Sequence, residues 1–234
     1  MPFDFVNKEL YKINYNNLFE EIMEKNILSD KILQYKYILE WINALKESDD
    51  IISKQLSTKK SVLEYMDNVQ SEPEIFQFPI LFRANTAFIH FRATIANQIL
   101  EKFFSKFVNV PRDAFVGDNA NIYWTEVEDS VELYSFNTKP IIVVPYLCGK
   151  YNYLVIDGNH RLTSLMQNNA SFVRSMLLTE RTVIVNELFS SNFDMLLYIF
   201  NNELCRFSNE SVKINCNEYQ LMNKSFLCGK GFQF

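Results

Sequence analysis

The chain has 234 residues, 48% of them apolar and 22% charged, with 21 Phe and 12 Tyr. That is globular composition for one large domain or two small ones, and it excludes collagen-like, coiled-coil and wholly disordered classes. Net charge is −5, with 13 Lys/Arg against 15 Asp/Glu up to Phe107 and 10 against 13 after it, so nucleic acid is not an expected partner, although a small pocket for one nucleotide is compatible.

The first hundred residues carry helical signals. Ser29 and Asp30 are N-cap residue types ahead of Ile32, Tyr35, Leu39, Ile42 and Leu45, which recur at helical spacing. Trp41 falls on that core spacing. Ser48–Asp50 reads as a break, and Ser57–Thr58 starts a second helix through Val62, Leu63, Met66 and Val69. A long amphipathic helix is expected from Arg83 to Phe107. Phe88, Phe91, Ile95, Ile99, Phe103 and Phe107 form its apolar stripe, and Arg83, Thr86, His90, Thr94, Asn97 and Glu101 its polar one. On that helix His90 is a surface residue.

The texture changes near Pro111. Ile122–Trp124, Val131–Phe136, Ile141–Tyr146 and Tyr151–Ile156 are β-branched and aromatic runs that read as strands. Leu147–Lys150 makes a tight hairpin between the last two. A helix is expected from about His160 to Gln167, a turn at 168–170, a strand over Phe172–Leu178 and a helix over Phe193–Phe207. The polar residues from Ser208 onward give no clear pattern. The organisation expected is a helical region over 1–107, an α+β domain over 108–207 and an extension over 208–234.

Cys148, Cys205, Cys216 and Cys228 form no CxxC pair and have no His at zinc spacing, so no metal site is expected. The opening residues MPFDFVNKEL have no basic or apolar leader segment, and no uncharged apolar run reaches ~18 residues. A cytoplasmic protein with reduced thiols and no membrane contact is the expectation.

One segment carries chemistry: an apolar strand running into Asp157-Gly158-Asn159-His160-Arg161 and then a short amphipathic helix. A helix N-terminus presents unpaired N–H groups and positive dipole, which suit an anion such as phosphate. Gly158 allows a sharp turn and close approach. Arg161 is a forked cationic donor, His160 a donor and acid–base group, and Asp157 a group to orient His160 or hold Mg²⁺ through water. The same residues also suit a plain turn, with Asp157 as a cap and Arg161 paired to a carboxylate. Arg112, Arg174 and Arg181 are further phosphate candidates, or partners of surface acids. Tyr123 and Trp124 either stack on a base or pack in the fold.

The segment resembles the nucleotide-binding loop of the ParB/sulfiredoxin superfamily. Lys139–Pro145 corresponds to the family's preceding strand, Gly149 to its hairpin turn, and Phe172–Leu178 to the strand after the helix. The resemblance spans about 108–178. It implies a small mixed-sheet domain there; with the helical N-terminal part, which has no counterpart in these groups, packed on it, the expected class is α+β. It also implies that Gly158, Asn159, His160 and Arg161 bind a nucleoside di- or triphosphate, with Mg²⁺ as accompanying ion. Asn159 stands where sulfiredoxins have their catalytic Cys, and no helix-turn-helix follows as in partition proteins. The loop is closest to the Asp-Gly-His-His-Arg form of the family's free-serine kinases. The resemblance thus implies a phosphotransferase or nucleotide hydrolase in which Asp157, His160 and Arg161 act catalytically, Arg161 being the main charge partner. Such enzymes need a further carboxylate, for which Glu126, Glu128, Asp129 and Glu180 are candidates. The alternatives are a non-catalytic nucleotide-dependent switch with a protein partner on the N-terminal helices, and a ParB-like nuclease or defence factor.

Overall fold

The structure is a computed structural model and describes residues 3–7, 9–70, 74–83, 85–102, 107–128, 138–213 and 217–230. Its elements are β1 (Phe3–Asp4), β2 (Glu9–Leu10), α1 (Tyr15–Met23), α2 (Lys31–Gln55), α3 (Lys59–Gln70), β3 (Ile75–Phe82), β4 (Asn85–Arg92), α4 (Ala93–Lys102), β5 (Val108–Pro111), β6 (Ile122–Tyr123), β7 (Ile141–Cys148), β8 (Tyr151–Asp157), α5 (Asn159–Gln167), β9 (Phe172–Leu177), α6 (Glu180–Val185), α7 (Asn192–Ser211) and α8 (Glu218–Met222). The class is α+β. The chain divides into two compact units, one made of 1–71, 77–90 and 189–234, the other of 72–76 and 91–188. This division differs from a single cut at 107. It assigns α4 to the second unit and α7 to the first.

In the first unit, Asp30 caps α2 by accepting from the amides of Ile32 and Leu33. The helix does not break at Ser48–Asp50 as expected. Tertiary partners take up those polar side chains instead of the backbone: Asp49 accepts from the Tyr15 hydroxyl at 2.7 Å, and buried Ser48 accepts from Asn192 at 3.0 Å. α1 and α7 pack on α2. Trp41 is fully buried, as its spacing predicts, and stacks on Phe200.

The expected helix from Arg83 to Phe107 is corrected. Residues 85–92 form a strand paired with β3, and only 93–102 are helical. Phe88, Phe91 and Ile95 have 3–4 spacing, but the run crosses a strand-to-helix junction. Within β4 the buried side chains of Ala87, Ile89 and Phe91 alternate with period two. His90 is consequently fully buried, not on a surface.

The second unit holds a five-stranded mixed sheet in the order β5-β9-β7-β8-β6. β7 runs antiparallel to β8 through the expected hairpin and parallel to β9, and β6 runs parallel to β8. Ile141–Val144 and Leu154–Ile156 are buried without a break, because these central strands are covered on both faces. α4 packs on β8, and α5 and α6 pack on β7. α5 contributes Leu162 and Met166 to a cluster with Val143, Val155 and Val173. The strand expected over Val131–Phe136 lies outside the described residues, as does Cys216. Among the described residues, no helix is long and apolar enough to cross a membrane.

Candidate functional site

The strand-to-helix junction forms as the sequence implies. β8 ends at Asp157, Gly158 turns the chain at φ +96°, and α5 begins at Asn159. Gly158 occupies the cap position, so the cap residue offers no side chain to the first-turn amides of α5. No other residue fits there. A Cβ would come within 2.6 Å of Ile141 Cγ2 and 2.7 Å of Arg161 Nη2, on a backbone that L side chains rarely adopt. The far end of α5 is closed: Arg112 donates to the Met166 carbonyl at 3.2 Å and to Asn169 at 2.8 Å, a cation where the helix dipole favours one.

The junction opens into a cleft of about 300 Å³. Asp157, Gly158, Asn159 and His160 line one side, with His160 exposed on the first turn. Thr125 and Val127, which follow β6, form a wall, and the start of the β3–β4 ribbon brings Glu74 and Phe76. This is the lower end of small-ligand cavity sizes.

Arg161 does not hold the place expected of a main phosphate partner. Its Nη2 donates to Asp157 Oδ2 at 2.9 Å and to the Pro140 carbonyl at 3.2 Å, and the residue is buried. The two charges are four residues apart, Asp157 at the end of β8 and Arg161 in the first turn of α5, and the turn at Gly158 brings them together. The pair is internally neutral, so Asp157 adds little net negative charge beside the loop. Asn159 likewise turns its oxygen to protein, accepting from the Thr125 amide at 3.0 Å.

The remaining candidates lie elsewhere. Arg174 lies over the Phe107 ring at 4.4 Å. Trp124 donates its indole N–H to the Phe115 carbonyl at 3.1 Å and packs on the sheet core, and Tyr123 meets Tyr151 edge to face. Of the carboxylates considered for catalysis, Glu126, Glu128 and Glu180 do not line the cleft, and Asp129 lies outside the described residues. Glu74 was not among them. Only the ribbon, missed in the sequence, brings it to the loop. Among the described residues, no three His, Cys, Asp or Glu groups come together to hold a metal ion. No family model, curated protein or solved structure matches the chain.

Proposed function

We propose that the second unit binds a nucleotide by its phosphates at the Asp157–Arg161 loop and acts as a ParB/sulfiredoxin-like phosphotransferase or nucleotide hydrolase. The observation that carries this reading is the first turn of α5: amides without a side-chain cap, beside a glycine that admits no Cβ, open to a cleft. Such a turn is an anion receptor by geometry and dipole. His160 stands beside it as a donor or acid–base group. Arg161 serves the site indirectly. It neutralises Asp157 and fixes the strand end to Pro140, so the loop keeps its shape and the anion meets less repulsion.

Glu74 and Asp157 give the cleft carboxylate oxygens but no three-donor cage. That donor set suits Mg²⁺ carried in on the nucleotide, since this ion is commonly held by one or two carboxylates plus substrate phosphates. When bound it would neutralise phosphate charge during transfer. Glu74 then faces the ligand as the further carboxylate that such chemistry needs.

The test is a thermal-shift series of nucleoside di- and triphosphates with and without Mg²⁺. A binder at 100 times its Kd adds about 2.7 kcal/mol, which is several degrees for a chain of this size. No shift with any nucleotide overturns the proposal. A shift with nucleotide recovered intact after long incubation with Mg²⁺ assigns the site to a switch instead of an enzyme.

A further inference from the structure

We infer that Asn159 and Thr163 are positioning residues, which hold residues 125–127 as the wall against which the non-phosphate half of the ligand lies. The identity of that ligand rests on the proposed function.

β6 pairs with β8 only through Ile122 and Tyr123. Beyond it the chain leaves the ladder, and its amides need other partners. α5 supplies them. Asn159 Oδ1 accepts from the Thr125 amide at 3.0 Å, and Thr163 Oγ1 accepts from the Val127 amide at 3.1 Å. Residues 159 and 163 are one turn apart and share a helix face, and 125 and 127 are alternate residues of an extended segment. The spacing lets a helix face stand in for a neighbouring strand. Thr163 is fixed in turn, donating to the Asn159 carbonyl at 2.9 Å. Both side chains are buried, Thr163 fully, so their geometry is set by packing.

The lining divides by chemistry. Ile75, Phe76, Ala93, Val127 and Ile156 are uncharged, with one aromatic ring among them, and Glu74, Asp157, Asn159 and His160 are polar. A ligand with an anionic tail and a flat, weakly polar head fits this split, with its phosphates on α5 and its base against Val127 and Phe76. Thr163, which lies outside the loop, therefore controls affinity for the head and leaves the tail alone.

Two measurements on the full chain test this. Amide hydrogen exchange should rise about tenfold or more at Thr125 in Asn159→Ala and at Val127 in Thr163→Val, each having lost its acceptor. Thr163→Ser keeps the acceptor and should keep the protection. It also serves if Thr163→Val does not fold. In binding assays, Thr163→Val should weaken a nucleoside triphosphate about tenfold, leave inorganic tripolyphosphate within about twofold, and be rescued in Thr163→Ser. Unchanged exchange overturns the positioning role. Parallel weakening of nucleotide and tripolyphosphate overturns the division of the cleft. If the wild-type chain binds neither probe, the proposed function fails and the ligand-facing role falls with it, while exchange alone still decides whether the two side chains hold the wall.

Discussion

The two histidines show how differently the two units use polar groups. His90, in the first unit, is enclosed. Its Nδ1 faces Asp194 Oδ1 at 2.9 Å and its Nε2 faces Gln77 Oε1 at 3.1 Å. Gln77 is locked in orientation, because its oxygen also accepts from the Phe5 amide and its nitrogen donates to Asp4. Both ring nitrogens thus meet polar partners inside the core. Ser191 donates to the other oxygen of Asp194 at 2.6 Å. Glu203 is used in the same way, accepting from Tyr37, Trp41, Ser225 and the Phe226 amide. In that setting burial, with Glu203 beside it, holds the Tyr37 phenol well above its ordinary range. These groups are saturated by protein and buried. His160 is the reverse: an exposed ring on the lining of a cleft. The polar groups of the first unit are enclosed in its core, whereas this ring stands at the surface.

The sharpest way to break this contrast is to remove one group of each kind. Glu203→Ala strips the acceptor from four donors, three of them side-chain groups in the core. Each orphaned buried donor costs about 1–3 kcal/mol, so a loss of at least about 3 kcal/mol is expected in urea denaturation. A loss below about 1 kcal/mol would show that the network is not structural. Gly158→Ala should cost less, about 2–3 kcal/mol from the strained φ and the contact with Ile141, yet it should abolish nucleotide binding. A variant with wild-type stability and affinity would remove the loop from the argument.

How much of this was legible in the sequence follows the same division. The loop was legible because its signals are local: an apolar strand, Asp-Gly, and helical spacing from Leu162. The N-caps and the β7–β8 hairpin were legible for the same reason. What escaped depends on distant partners. The β3–β4 ribbon imitates a helix in its aromatic spacing, and only pairing decides between the two. With the ribbon went the burial of His90 and the approach of Glu74 to the cleft. The inward turn of Arg161 needed the Pro140 carbonyl, 21 positions away. Asn159 carries no sequence mark that separates a phosphate ligand from an anchor for Thr125.

Acid provides a gentler test of the first unit. Burial pushes the Asp194 carboxyl up, but the charge of the amino terminus, followed by His90, outweighs it and the carboxyl lies below its ordinary range; Asp4, where burial is outweighed by bonds from Gln77, Asn7 and Val6, is also lowered. A carboxyl depressed in the folded state contributes stability that is complete above its unfolded value, about 3.9, and is lost as pH falls through the folded value. The urea midpoint should therefore hold steady from pH 7 to about 5 and fall steeply below pH 4. Asp194→Asn, less stable at neutral pH, should show a shallower acid fall. An equally steep fall in that variant would place the acid sensitivity elsewhere.

The smallest effect on stability should come from His160, and that makes it the cleanest probe of the loop. The side chain is exposed on the first turn of α5, so His160→Ala should shift the unfolding free energy by under about 0.5 kcal/mol. If the ring donates to a bound phosphate, the same change should weaken a nucleoside triphosphate about tenfold, the worth of one hydrogen bond to a charged group. Tripolyphosphate should weaken equally, because the ring would meet the phosphates that both probes carry. That outcome differs from the one expected of Thr163→Val, in which only the nucleotide is affected. Should His160→Ala spare both probes, the anion would be held by α5 amides alone, and His160 would have no part in binding the phosphate.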